Sequence, residues 1–453
     1  MLPSGFPEDS ARRALDMHLD FIGADCGSTD AGPYALGSGD PSVSREAVKN
    51  GVEILLSGAR EKDIPLIIGS AGYAGAEDHL KWFLKILEQV TKENNLHYKL
   101  AIIHSEQNKN YLKNKLKEGK IKPLNPYGFK GPAFESLNEE TIDKCDHIVG
   151  VMGVEPYIKA LEEGAEVIIA GRSTDTAIYS AIPLQNGFPP GIVWHAAKIA
   201  ECGAACVEHR TESDSIVVRI QKDGAIFEPP NPKLRCTPLS VRSHMLYENP
   251  SPIKLYEPSG MVDTSKSKYE AVSDRAVKIT GSEFVPAKTY TIKLEGSGKI
   301  GYRSIWIGGI RDSVLISSID DFMQRVRATM EKKVGQVYEG KLLRKDWQLN
   351  YRVYGKNAVM GPLEPEKDIK SHEIGVLAEV IAPDQDTAYN IAYLYRHTAM
   401  HQHYGRFSGL TTNFAFPFVP LQLNAGPVYK FFLNHLVQPN DPYEMFPTEY
   451  NET

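Results

Sequence analysis

The first half of the chain alternates short apolar runs with stretches whose apolar residues recur every three or four positions. LDFIGAD (19–25), IPLIIGSAG (64–72), YKLAIIHSE (98–106), CDHIVGVMG (145–153) and EVIIAGRSTD (166–175) read as strands. SREAVKNGVEILLSGAREK (44–62), AEDHLKWFLKILEQVTKENN (76–95) and EPYIKALEEGA (155–165) read as amphipathic helices. Near-continuous apolar strands alternating with helices predict a parallel sheet covered on both faces. The expected fold class is α/β, with a Rossmann-like sheet over residues 1–210.

Beyond residue 208 the pattern changes. A proline-rich connection runs from FEPPNPKLRCTPL to YENPSPIKLYEPSG, where helices do not persist. TYTIKLEGSGKIGYRSIWIGG, SIDDFMQRVRATMEKKVGQV, WQLNYRVYG, EIGVLAEVIAP and DQDTAYNIAYLYRHTAMHQH then read as strand, helix, strand, strand and helix, the last capped by Asp384 or Asp386. That order predicts a smaller α+β domain of ferredoxin-like type over 211–453, with the boundary between 208 and 240. No internal repeat is present.

Composition narrows the class without naming a function. Of 453 residues, 51 are Lys or Arg and 57 Asp or Glu, a net charge of −6. With 42% hydrophobic and 24% charged residues, the chain is neither disordered, collagen-like nor a coiled-coil rod. Mild acidity gives no support to nucleic-acid binding, and no apolar run approaches the roughly 18 residues of a membrane helix. The start lacks a secretory core and the five cysteines are odd in number, so a cytoplasmic protein without disulfides is expected. Cys202 and Cys206, at i and i+4, are read as buried thiols rather than a metal pair.

Candidate chemistry gathers where the predicted strands end, the edge at which open α/β sheets bind ligands. The first loop offers Asp25 and Asp30 as general base or cation ligands, and Gly27, Ser28 and Thr29 as substrate contacts. Its Gly-x-Asp-x-Gly-Ser-Thr-like run suggests the phosphate loop of actin and sugar-kinase ATPases, but no second hairpin strand follows. Gly69, Ser70 and Gly72 lead into a helix N-terminus, a setting suited to an anion. Arg172, Ser173 and Asp175 follow the last strand; Arg172 either clamps a carboxylate or braces the loop through Asp175. Glu155 reads as a general base or a first-turn helix acid, and His104 and Glu106 carry the same ambiguity. His195, Lys198 and Glu201 share one helix face, which is either solvated or catalytic.

His397 and His401 have a zinc pair's spacing, with His403 nearby, but the glutamate of HExxH is missing. There is no Gly-x-Gly-x-x-Gly fingerprint, Walker loop or Gly-x-Ser-x-Gly elbow, so no NAD or ATP motif is present and the cofactor stays unknown, with a divalent metal as an alternative.

Two stretches, FIGADCGSTDAGPYALGSG and GVEPYIKALEEGAEVIIAGRSTDTAIYSAIPLQNGFPPGIVWHAAKIAECGAACVEH, resemble the acyclic terpene utilisation AtuA family. AVKITGSEFVPAKTYTIKLEG and HYGRFSGLTTNFAFPFVP support the resemblance. It implies an enzyme of small-acid catabolism acting on a carboxylate or acyl-CoA by lyase, hydratase or hydrolase chemistry; a homo-oligomer that needs neither nucleic acid nor membrane is expected. The first loop reads Asp25-Cys26-Gly27-Ser28 in place of the terpene member's Gly-rich opening, which implies a separate subgroup. In the expected enzyme, Asp25, Asp30 or Glu155 moves a proton beside a carbonyl, His195 is a reserve acid or base, and Arg172 with loop amides holds the anion. A non-catalytic acyl-CoA- or nucleotide-binding subunit is the alternative of another class.

Overall fold

The computed structural model describes residues 5–124, 137–404 and 412–453; the 405–411 part of HYGRFSGLTTNFAFPFVP lies outside the described residues. The chain forms two compact units, 1–298 with 430–453, and 299–429.

The first unit opens with α1 (Glu8–Leu15), β1 (Ile22–Asp25), α2 (Pro33–Ser38), α3 (Arg45–Lys62), β2 (Leu66–Gly69), α4 (Glu77–Glu93) and β3 (Lys99–Ile103). α5 (Lys109–Lys117), β4 (Ile121–Pro123), α6 (Glu139–Asp143), β5 (His147–Val151), α7 (Glu155–Glu162), β6 (Val167–Ala170), α8 (Asp175–Gln185) and α9 (Pro190–Ala200) follow. β1, β2, β6 and β3 form a parallel sheet in that order, and β18 (Thr448–Glu452), the C-terminal strand, adds an antiparallel edge beside β3. Alternate residues of each strand bury on opposite faces. Ile67, Ala101, Ile103 and Ile168 enter one core; Leu66, Ile68, Leu100, Ile102 and Ile169 enter the other. The predicted parallel sheet is therefore present.

One expected member of it belongs elsewhere. β5 pairs antiparallel with the start of β14 (Ile292–Ile310), through Val149 opposite Glu295. Only a single parallel bridge, Met152 to Ser173, ties its end to the loop after β6. An apolar run satisfies either kind of sheet, so periodicity cannot assign the partner. After β1, the chain turns into α2 rather than a second hairpin strand.

Residues beyond 208 stay with the first unit instead of opening a new one. β7 (Val217–Ile220), β8 (Ala225–Glu228), α10 (Pro238–His244), β9 (Lys254–Glu257), β10 (Gly260–Asp263), β11 (Lys268–Ala271), β12 (Val277–Thr280) and β13 (Glu283–Pro286) build two small antiparallel sheets, β13-β10-β9 and β11-β12-β8-β7. α9, whose residues 191–200 are all buried, packs against them; Ile192, Ala196 and Ile199 share a core with Phe227, Val277 and Ile279. An apolar helix of this kind must be covered all round. That is why the division falls at Gly298 and not in the proline-rich stretch.

In the second unit the later part of β14 is followed by α11 (Ser313–Ser317), α12 (Ile319–Val337), β15 (Gln348–Tyr354), β16 (Ile374–Ala382), α13 (Gln385–His401) and the start of β17 (Gln422–Val437). The strand order is β15-β16-β14-β17, with β16 antiparallel to both neighbours. The core joins Trp306, Val376 and Val380 to Phe322, Val326 and Ile391 of the helices. Asp384 caps α13 by accepting from the Thr387 amide at 2.8 Å.

Candidate functional site

Asp25 ends β1, and Asp175 opens α8 directly after the loop that ends β6. The Asp25 carboxylate is buried and accepts the Gly27 amide at 3.3 Å, while its own amide donates to Tyr179 Oη at 3.2 Å. Burial pushes the Asp25 carboxyl well above its ordinary range, and the negative charge of Asp175 adds to the rise. Burial raises Asp175 too, against the pull of Arg172 and Lys198. Burial and the repulsion between the two carboxyls both favour the protonated form of Asp25.

Arg172 is buried between them and the chain's long-range contacts. Its Nε donates to Glu295 Oε2 at 3.1 Å, and Nη1 reaches Ser70 Oγ and the Ser173 carbonyl, both at 3.2 Å, with Asp175 Oδ1 at 3.6 Å. Burial pushes Glu295 up, but Arg172 and Lys293 outweigh it and hold the carboxylate down at about 2. Arg172 thus braces the loop and spends Nε and Nη1 on the protein. Gly75 (φ 69°) lets the neighbouring loop approach, because a Cβ there would stand 2.2 Å from the Arg172 amide.

Glu257, at the end of β9, completes the cluster. Its Oε1 accepts from Thr176 Oγ1 at 2.5 Å, while Oε2 is buried with no partner. Burial lifts this carboxyl to about 7, opposed by Thr176 and Thr174 and reinforced by Asp175. Lys198 and Glu201, from the end of α9, form a buried ion pair next to these groups. Tyr179 Oη also donates to the Glu201 carbonyl at 3.3 Å, joining α8 to α9. The result is a surplus of buried carboxyls over buried cations, and burial raises Asp25, Asp175, Glu201 and Glu257 alike. Asp25 and Tyr179 also line a cavity of about 530 Å³ whose other walls are mostly apolar, including Ile22, Ile182 and Ala200.

Other residues singled out by sequence lie differently. Ser70 (φ 51°) and Tyr73 (φ 91°) hold left-handed backbone in the second loop, strain of a kind found at functional sites. The Ser70 and Ala71 amides nevertheless bond to Gly171 and Ala170 carbonyls, and Glu106 Oε2 takes the Glu77 amide at 2.7 Å. The Ser70, Ala71 and Glu77 amides therefore have partners within the protein. Gly69 packs on Ile178 and Gly72 on His79. In the first loop, Thr29 is buried, Ser28 Oγ accepts the Asp30 amide at 3.2 Å, and Asp30 is exposed while Asp25 is buried. Ser173 Oγ accepts from Tyr157 at 2.9 Å.

Glu155 Oε2 accepts from Tyr290 at 2.7 Å, and burial raises it. His104 Nδ1 lies 2.8 Å from Glu77, and His147 Nδ1 2.7 Å from Glu106. His195 is fully buried; its Nδ1 is 2.6 Å from Ser282 Oγ and its Nε2 3.1 Å from Tyr269 Oη. Burial lowers its pKa to about 3, so it stays neutral. The helix face it was expected to share with Lys198 and Glu201 is buried rather than solvated. His397, His401 and His403 are exposed. Cys206 is buried and turned to the Gly203 carbonyl.

Sequence reasoning missed Glu257 and Glu295. Neither sits in a motif, and each reaches the cluster from strands far along the chain.

No curated protein and no solved structure matches the chain. The family model described as acyclic terpene utilisation family protein AtuA matches residues 11–186 and 197–422. With nearly the whole sequence matched in order, the chain belongs to the AtuA family.

Proposed function

We propose that this protein is a catabolic enzyme that moves a proton on a small carboxylate or acyl-CoA substrate, in lyase or hydratase chemistry. The observation that carries the reading is Glu257: a carboxyl titrating near neutrality, with one buried oxygen free of partners, beside the raised pair Asp25 and Asp175. A general base works best when its pKa lies near the working pH and its basic atom is not already engaged. Glu257 takes the proton next to the carbonyl; Asp25 or Asp175, whose protonated forms burial favours, is the complementary acid. The largely apolar cavity that Asp25 helps to line takes the hydrocarbon part of the substrate. In fold terms the first sheet is taken as Rossmann-like. The second unit is taken as ferredoxin-like, which the order β15-β16-β14-β17 supports. No helix among the described residues is long and apolar enough to cross a membrane.

The test is proton exchange and hydration followed by nuclear magnetic resonance in deuterium oxide. The probes are saturated and 2,3-unsaturated short-chain acyl-CoA thioesters and their free acids. At least one probe is expected to react, with a rate that rises through about pH 7 as Glu257 loses its proton. Glu257→Gln is expected to slow it by roughly 10²–10⁴-fold. A panel that yields no exchange, hydration or cleavage, or a Glu257→Gln variant as fast as the native protein, overturns the reading.

A further inference from the structure

At the C-terminal end of α9, Glu201 and Cys202 meet His244, the last residue of α10. One ligand atom from each lies within 4.8 Å of the other two, and among the described residues this is the one group of three or more His, Cys, Asp or Glu so placed. His244 is 5% exposed, and its Nε2 is buried with no hydrogen-bond partner. A buried imidazole nitrogen left unpaired destabilises the fold unless something fills its coordination. Tyr247 stacks on the His244 ring, with centroids 5.3 Å apart, and fixes the plane in which that nitrogen points. Cys202 is half-buried and forms no disulfide, so an ion has a route to its sulfur.

We infer that Glu201, Cys202 and His244 form a binding site for a zinc-class divalent cation. A thiolate, an imidazole and a carboxylate are a donor set that prefers zinc to magnesium or calcium. Tetrahedral coordination at 2.0–2.3 Å needs donors about 3.5 Å apart, so side-chain movements of about 1 Å close the site. Binding displaces the Cys202 thiol proton to solvent; the Cys202 thiolate and the Glu201 carboxylate, the latter shared with Lys198, supply the negative charge that faces the ion. Lys198 holds one Glu201 oxygen, which fixes the carboxylate and leaves the other oxygen for the metal. Three protein donors leave the fourth position open to water or a ligand atom. The site is distinct from Asp25 with Asp30 and from the exposed histidines of α13. It does not depend on the proton-transfer reading, because its test needs no turnover.

The full chain, freed of metal by a chelator, is titrated with Co²⁺ and, separately, with Zn²⁺. One cobalt per chain is expected to give a near-ultraviolet thiolate charge-transfer band. Equimolar zinc is expected to slow alkylation of Cys202, located by peptide mass spectrometry, by at least about tenfold. Cys202→Ser abolishes the band, and His244→Gln weakens zinc binding by about 10- to 100-fold, with far-ultraviolet circular dichroism showing that both variants fold. If either variant does not fold, protection of Cys202 in the native chain decides alone. A native chain without the band and without protection overturns the site, as does a folded Cys202→Ser protein that keeps the band.

Discussion

Arg172 and Glu295 pair from positions 123 residues apart, with both side chains buried. Arg172 announces itself in the sequence because it follows an apolar strand inside a polar loop. Its partner does not, because a glutamate at the start of a long strand has no local mark of burial. A buried ion pair adds little over a well-packed apolar pair, but removing one partner strands the other charge. Glu295→Gln leaves the Arg172 guanidinium without its nearest counter-charge, with only Asp175 at 3.6 Å, and is expected to cost roughly 3 kcal/mol, read as a shift of the urea midpoint at unchanged slope. The double variant Arg172→Met with Glu295→Leu is expected to recover most of that loss. A double variant as unstable as the single one would mean that Arg172 stabilises the fold through Ser70 and Ser173 instead.

At the scale of the element, α4 shows how a side chain from a distant strand takes up the first amide of a helix. Its N-cap is Ala76, which has no side chain to cap with, and the role passes to Glu106 at the end of the β3 segment. The same carboxylate pairs with His147, whose pKa rises mainly through that hydrogen bond, against the effect of burial. A gain in histidine proton affinity stabilises the fold fully below its unfolded value of about 6.5, and the gain is lost as pH climbs through the raised folded value. Glu106→Ala is therefore expected to cost roughly 1–2 kcal/mol at pH 6, with a smaller gap from the native protein at pH 9. An equal gap at both pH values would remove His147 from the account. The glycines and the helix start were legible from sequence; the occupant of the helix end was not, since it arrives by tertiary contact. β5 carries the same lesson, because an apolar run says that a strand is buried but not which sheet buries it.

For the whole molecule, a net charge of −6 conceals a concentration of carboxyls in its interior. Periodicity found the parallel sheet and the strand ends that carry Asp25 and Asp175. It could not find the strand that delivers Glu257, which comes from the proline-rich region where no regular pattern operates. That carboxyl stands at about 7 in the fold against an ordinary 4.5. A carboxyl with raised folded pKa favours the fold when protonated, so its contribution is full below the unfolded value and disappears as pH rises through about 7. At about 1.4 kcal/mol for each tenfold change in proton affinity, ionising Glu257 costs the native state roughly 3 kcal/mol at high pH. Glutamine has the shape of the neutral acid and never ionises. Glu257→Gln is therefore expected to melt with the native protein near pH 4 and clearly above it at pH 8–9, in the range where the variant loses turnover. Stability gained where activity is lost marks a residue held in the fold for chemistry. Equal melting of the two proteins across that pH range would return Glu257 to an ordinary hydrogen-bonded role beside Thr176.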